Sequence, residues 1–279
     1  MQLRIQGGHM KMQNWRGIKK SGKQPPICVS QNYLTSRKTI DRLLNLTNIE
    51  KKDFIIEIGA GKGHITKSLI QKCGRLQAVE IDEKLYDKLK ISLGNKPTLS
   101  IIHMDFLKMQ LPSNQPYKIF SNIPFTITSD IIRKITQTGN PPTEVWLVME
   151  KGAAKRFCGT SFENIHSLRL KPFWDLNIIY YFRRDDFHPM PSVETVLIHL
   201  SKKKQPDLEP QKRKEYCKFL SHALKYGVFG AKSLLTKKQV STALRLAGLP
   251  QVDRSEKITY NQWLCLFQCY QKYGKKLSL

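Results

Sequence analysis

EIGAGKGHIT, residues 57–66, decides the fold of this 279-residue chain. The apolar run that leads into it reads as a short buried strand, and glycines follow at positions 59, 61 and 63. The next residues carry apolar side chains at helical spacing and stop at Gly74. A strand, a glycine turn and a helix in this order predict the first unit of an α/β sheet, with a backbone that can approach a ligand closely at the turn.

The same alternation continues along the chain. Further strand-like runs lie at residues 76–82, 99–106, 117–125, 143–150, 176–182 and 193–200, and helical patterns separate the earlier ones. Strands that alternate with helices indicate a mostly parallel, seven-stranded sheet with helices on both faces.

After Leu200 the pattern becomes helical only. A charged, proline-bearing segment leads into apolar spacing of i, i+3, i+4 and i+7 around Val240 and again around Trp263. We predict a basic tail over residues 1–23, an α/β domain over 24–204 and a small all-helical domain over 205–279, whose aromatic stripe is core. Residues 1–10 are set aside as a leader or an expression-derived segment.

The sequence of the glycine loop can be compared with three known ligand-binding patterns. A Walker loop needs Ser or Thr after its lysine, but Lys62 is followed by Gly63. A dinucleotide fingerprint needs GxGxxG, and GxGxG is a weak match. The remaining candidate is S-adenosylmethionine, whose sites favour an acid followed by alternate glycines, as here after Glu57.

Polar residues recur at the ends of the next three strands. Glu80 ends the second strand, where an acid can accept hydrogen bonds from ribose hydroxyls, and Asp105 follows the third, where it can accept from an adenine amine beside Phe106. Asn122 ends the fourth. Each could instead be an ordinary strand-end or helix-capping residue. Because parallel strands end at one edge of a sheet, we expect the three to lie together.

SNIPF, residues 121–125, resembles the signature of amino-methyltransferases in its N-I/L-P-F/Y variant. The exocyclic amine of adenine is a poor nucleophile, and the Asn122 side-chain oxygen with the Ile123 carbonyl can accept its hydrogens. Pro124 stiffens the turn. Phe125 can stack on a base taken out of its helix. We expect positioning, rather than a strong general base, to supply most of the rate.

The charge indicates the partner. The chain has 47 Lys and Arg against 22 Asp and Glu, a net charge of +25. Such an excess predicts a polyanion, most often a nucleic acid. No lipidation motif or basic amphipathic helix favours a membrane. Basic clusters occur at residues 16–23, 151–156, 201–205 and 212–214.

Cysteine spacing and hydropathy indicate the cellular compartment. The six cysteines form no CxxC pair, so we expect reduced thiols and no metal site. No apolar run approaches the roughly 18 residues of a membrane span, and no secretory signal is recognisable. We expect a cytoplasmic protein.

Six motifs in order resemble the Erm family of ribosomal RNA adenine methyltransferases, over residues 28–272. They are SQNYLTS (30–36), EIGAGKGHIT, VEID (79–82), MDFL (104–107), SNIPF, and FHPMPSVETVLIHL (187–200), with a C-terminal helix like ITYNQWLCLFQCY (258–270). The resemblance implies a Rossmann-like class I methyltransferase fold with a small helical RNA-interaction domain. It also implies one adenine of 23S rRNA as substrate, and resistance to macrolide, lincosamide and streptogramin B antibiotics.

The resemblance further implies site residues. The implied cofactor contacts are Gln31, Asn32, Leu34, Gly59, Ala60, Gly61, Glu80, Ile81, Asp105, Phe106 and Asn122. The implied catalytic residues are Asn122, Ile123, Pro124 and Phe125. Where relatives often have lysine, this chain has Met190 and Ser192, so RNA contacts are expected instead at Arg16, Lys19, Lys20, Lys151, Lys155 and Arg156. We expect a monomer.

Three other readings stay open. A sister family that dimethylates adenines of small-subunit rRNA shares most of these motifs, although QNYLTS favours the Erm side. A non-catalytic nucleic-acid-binding descendant, such as a mitochondrial transcription factor, could keep the fold. DNA adenine methyltransferases more often have Asp at the position of Asn122.

Overall fold

The computed structural model describes residues 32–252 and 258–275. Four predicted contact residues, Arg16, Lys19, Lys20 and Gln31, lie outside these ranges, as does Ser30, the first residue of the SQNYLTS motif.

The strands and helices follow one another in the order β1 (Tyr33–Leu34), α1 (Arg37–Asn45), β2 (Phe54–Ile58), α2 (His64–Lys72), β3 (Arg75–Glu80), α3 (Glu83–Leu93), β4 (Leu99–His103), β5 (Lys118–Asn122), α4 (Thr128–Thr136), β6 (Glu144–Glu150), α5 (Lys151–Cys158), α6 (Ile165–Leu170), β7 (Trp174–Tyr181), β8 (Phe187–His188), β9 (Thr195–Lys202), α7 (Arg213–Tyr226), α8 (Lys237–Leu246) and α9 (Tyr260–Tyr273). The sequence patterns did not predict β1, β8, α1, α4 or α7.

The main sheet has seven strands in the order β4-β3-β2-β5-β6-β9-β7. Strands β4, β3, β2, β5 and β6 are parallel, and β9 runs antiparallel to both β6 and β7. The mostly parallel, seven-stranded prediction is therefore confirmed. The chain order reverses between β2 and β5, and open α/β sheets bind ligands in the crevice outside the carboxyl ends of strands at such a reversal.

Both faces of the sheet are buried, and the side chains of each strand alternate between them. In β2, Ile56 and Ile58 belong to one buried cluster, with Ile131 of α4, whereas Ile55 belongs to another, with Leu69 of α2. Side chains of successive strand residues point to opposite faces, so the near-continuous apolar run predicted a strand covered on both sides.

The C-terminal helices pack through aromatic rings. The ring of Phe219 on α7 lies 5.5 Å from Phe267 and 5.1 Å from Tyr270, both on α9, and all three side chains are buried. The prediction that this stripe is core is confirmed. These residues share one buried cluster with Trp174 and Leu200 of the sheet, so the apolar core continues across residue 205.

A short second sheet joins two distant motifs. β1 pairs antiparallel with β8, with Tyr33 opposite His188 and Leu34 opposite Phe187. This pairing ties the QNYLTS segment to the FHPMP segment. No helix in the described ranges is long and apolar enough to cross a membrane.

Candidate active site

The glycine loop after β2 leaves open space at Gly59. Gly59 has φ +68, and a Cβ built there meets no atom within 4 Å. At Gly61, φ is +57 and a Cβ would lie 2.8 Å from Cε1 of Tyr33. Both positions therefore favour glycine through their left-handed backbone, and Gly61 also through contact with Tyr33. A ligand can approach the backbone at Gly59, where any side chain would intrude.

Glu80 holds the loop from the neighbouring strand. Its carboxylate is 1% exposed and accepts hydrogen bonds from the backbone N–H groups of Gly61 at 2.7 Å, Ile81 at 2.9 Å and Asp82 at 2.9 Å. Two carboxylate oxygens offer about four acceptor positions. Glu80 can therefore order the loop and still accept from one ligand hydroxyl.

Glu57 is a buried acid beneath the same loop. It is 2% exposed, and its Oε2 has no hydrogen-bond partner among residues 32–252 and 258–275. Burial raises the pKa of Glu57 from its ordinary 4.5 to about 8, and the nearby charge of Glu80 adds to the rise. With its pKa raised to about 8, the Glu57 carboxyl is protonated at neutral pH and is a neutral group at the base of the loop.

We predict a pH-dependent stability from Glu57. Because the fold raises this pKa, the stability that Glu57 contributes is complete below pH 4.5 and is lost as the pH rises through about 8. Glu57→Gln removes the ionisation. The free energy of unfolding of the ligand-free wild type should fall by a few kcal/mol relative to Glu57→Gln over this range, as measured by urea denaturation. Exposed Glu83→Gln is the matched control. Parallel curves for wild type and Glu57→Gln would contradict the assignment.

The rim beyond Glu80 combines apolar and acidic groups. Ile81 is 44% exposed and Met104, a residue the sequence analysis did not select, is 42% exposed. Asp105 Oδ1 accepts from the Leu107 N–H at 2.8 Å, so one carboxylate oxygen caps the following turn and Oδ2 is left for a ligand. The ring of Phe106 is only 5% exposed and belongs to the core, so little ring surface is available beside an adenine.

Ser121 joins the tips of β2 and β5. Its hydroxyl donates to the Ile58 carbonyl at 3.0 Å and accepts from the Ile58 N–H, and the side chain is fully buried. This bridge holds the glycine loop and Asn122 at the same edge. Sequence reasoning missed it, although a single hydroxyl in an apolar strand was a signal.

The orientation of Asn122 is set by a residue 90 positions away. Its side-chain nitrogen donates to the backbone carbonyl of Asn32 at 2.7 Å. Only the NH₂ end of the amide can donate to a carbonyl, so Oδ1 is left as an acceptor. The neighbouring Leu34 is 2% exposed and anchors this segment in the core.

The turn after Asn122 presents one ring. The Ile123 side chain is 2% exposed and its N–H donates to the Val148 carbonyl at 3.3 Å. Pro124 has φ −62 and ψ 124, and Phe125 begins a short 3-10 turn with its side chain half-buried. Asn122 and Phe125 therefore lie on either side of a stiff turn.

The predicted RNA contacts on α5 differ in their surroundings. The Lys151 ammonium pairs with both carboxylate oxygens of Glu194, at 2.9 and 3.1 Å, and its side chain is only 25% exposed. Lys155 and Arg156 are exposed. The latter two are better placed to meet a phosphate.

The sequence of this chain is similar to ribosomal RNA adenine methyltransferases. A family model described as ribosomal RNA adenine dimethylase matches residues 27–272. A protein of Lysinibacillus sphaericus named rRNA adenine N-6-methyltransferase is 37% identical over 88% of this chain and 96% of its own length. A protein of the same name from Limosilactobacillus reuteri is 35% identical over 88% of this chain and 97% of its own length.

Solved structures share the fold. The 23S rRNA methyltransferase ErmE superposes with a TM-score of 0.75 at 24% identity, over 86% of this chain and 100% of its own. A dimethyladenosine transferase from Plasmodium falciparum gives a TM-score of 0.69 at 20% identity, over 86% and 97%. At these identities, the likeness shows a common class I methyltransferase fold.

Proposed function

Because this chain belongs to the ribosomal RNA adenine dimethylase family, we propose that it methylates the exocyclic N6 amine of one adenine in 23S rRNA, with S-adenosylmethionine as methyl donor. The hydrogen bond from the Asn122 side-chain nitrogen to the Asn32 carbonyl carries the proposal, since it leaves Oδ1 as an acceptor at the switch point of the sheet. The proposed biological result is resistance to macrolide, lincosamide and streptogramin B antibiotics.

The residues around the crevice fit S-adenosylmethionine. The space at Gly59 admits a ligand against the backbone, and the remaining acceptor capacity of Glu80 suits a ribose hydroxyl. Ile81 and Met104 offer apolar surface for a purine ring, and Asp105 Oδ2 can accept from its amine. When bound, the cofactor supplies an electrophilic methyl group on a positively charged sulfur.

Asn122 and Ile123 act on the substrate amine. Asn122 Oδ1 and the Ile123 carbonyl would accept its two hydrogens and hold its lone pair towards the donor. Fixed acceptors of this kind lower a barrier by orientation and by stabilising developing positive charge. No side chain needs to remove the proton before transfer. Lys155 and Arg156 would contact RNA phosphates, because both are exposed.

Phe125 is expected to hold the displaced adenine by stacking. Phe125→Ala should lower the rate of methyl transfer about 10- to 100-fold, because base–aromatic stacking contributes about 1–3 kcal/mol. Phe125→Tyr keeps the ring and should stay near the wild-type rate. Single-turnover kinetics with radiolabelled donor measures the effect. Equal rates for Phe125→Ala and wild type would eliminate the stacking role.

The substrate is tested in cells. Primer extension and mass spectrometry on rRNA, from cells with and without the protein, should show N6-methylation at one 23S adenine. The same cells should grow at higher macrolide concentrations. Methylation confined to small-subunit rRNA would move the chain to the sister activity, and unmodified rRNA would overturn the enzymatic proposal.

A further inference from the structure

A basic groove lies along α7, apart from the candidate active site. It encloses about 830 Å³ between the end of α4, α6 and α7. The described residues that line it include no Asp or Glu, and they include the cations Arg169, Arg213, Lys214, Lys218 and Lys225. Arg213 and Lys214 belong to the basic cluster at residues 212–214, whereas the sequence pattern did not indicate Arg169, Lys218 or Lys225.

Two of the cations are part of the framework. Arg213 donates to the Thr136 carbonyl at 2.9 Å and lies 4.6 Å from the centre of the Phe173 ring. Arg169 donates to the Ser221 hydroxyl at 3.2 Å, which fixes α6 against α7. These contacts hold the walls of the groove.

The three lysines are available to a ligand. Lys214, Lys218 and Lys225 follow the spacing i, i+4 and i+11, which places them on one stripe of α7. No carboxylate pairs with them in the described part of the chain. The stripe is about 16 Å long at 1.5 Å per residue. Each strand of a DNA double helix places one phosphate per about 3.4 Å of helix axis, so a stripe of this length can meet several nucleic-acid phosphates.

An aromatic ring closes one end of the stripe. Tyr226 is 38% exposed, and the Lys225 and Lys232 ammonium groups lie 5.1 and 5.5 Å from the centre of its ring. The His222 ring supports it at 4.7 Å. Cations that flank an exposed ring are the features with which proteins bind the backbone and stack the bases of single-stranded nucleic acid.

We propose that this groove binds an RNA segment that flanks the target adenine, with phosphates on Lys214, Lys218 and Lys225 and a base on Tyr226. The inference rests on the proposed rRNA substrate. The groove begins at Gln137, at the far end of α4 from the Phe125 turn, and nine helical residues span about 14 Å. An RNA must therefore extend well beyond the reacting base to reach it, so the groove should select structured rRNA over short fragments.

The test uses two RNAs and two kinds of variant. The triple variant Lys214→Gln, Lys218→Gln, Lys225→Gln should bind a transcript of the rRNA domain that carries the target at least 10-fold more weakly than wild type. Its plot of log affinity against log salt should be shallower by about 2, since each phosphate contact contributes roughly 0.7–0.9. Methylation of a short stem-loop with the same adenine should be unchanged. Tyr226→Leu should weaken transcript binding several-fold with the salt slope unchanged, and Tyr226→Phe should restore it.

The controls separate this inference from the proposed function. Lys51→Gln, Lys52→Gln, Lys88→Gln removes three exposed lysines elsewhere and should leave transcript affinity at the wild-type value. If wild type methylates both RNAs and the triple lysine variant binds and methylates both of them as wild type does, the groove assignment is wrong while the proposed function stands. If wild type methylates neither, the proposed function fails. If the triple lysine variant instead bound naked RNA as tightly as wild type but no longer bound ribosomal protein, the groove would be a protein-docking surface.

Discussion

Asn122→Ala should lower the rate of methyl transfer by about 100- to 1,000-fold, the usual cost of removing one fixed electrostatic partner of a transition state. The substitution removes Oδ1 and the bond to the Asn32 carbonyl together. The affinity for S-adenosylmethionine should change less than the rate, since the loop and Glu80 hold the donor. Single-turnover rates and calorimetry measure the two effects separately.

Two further variants test the orientation of the Asn122 amide. Asn122→Asp keeps an acceptor but cannot donate to the Asn32 carbonyl, so it should be slow as well. Asn140 is the matched control, because its amide also donates to backbone carbonyls, those of Pro112 and Gln115 at 2.9 Å, but away from the crevice. Asn140→Ala should lose stability and keep its rate. Full activity of Asn122→Ala would remove the acceptor role.

Glu80→Ala should weaken S-adenosylmethionine binding about 10- to 100-fold. It removes the ribose acceptor and leaves the N–H groups of Gly61, Ile81 and Asp82 without their acceptor. A buried donor left unpaired costs about 1–3 kcal/mol, so the thermal midpoint should also fall. Titration calorimetry gives the affinity, and thermal unfolding without ligand gives the stability.

Glu144 separates these two effects. Its carboxylate accepts a hydrogen bond from the Ser201 hydroxyl at 3.1 Å and pairs with His199 at 2.6 Å. Glu144 lies at the amino end of β6, so it is at the opposite end of the parallel strands from Glu80. Glu144→Ala should be destabilised while its cofactor affinity stays near wild type. If Glu80→Ala binds the cofactor as tightly as wild type, the ribose assignment is wrong.

Local patterns were enough for much of the fold. The alternation of apolar runs predicted every strand of the main sheet, because side-chain periodicity depends on neighbours in the chain. The glycine loop and the polar strand ends at Glu80, Asp105 and Asn122 were readable for the same reason. Helices α1, α4 and α7 were not assigned, although their apolar faces are buried.

By itself, the sequence determined the class of sheet, the edge where its polar residues gather and the family to which the chain belongs. Only the tertiary structure decided which atoms are free to act. It directs the Asn122 nitrogen to Asn32, ties β5 to β2 through Ser121, and pairs β1 with β8. It also buries the Phe106 ring in the core and pairs the Lys151 ammonium with the Glu194 carboxylate. These outcomes depend on contacts between residues far apart in the chain, which no periodicity over neighbouring residues records.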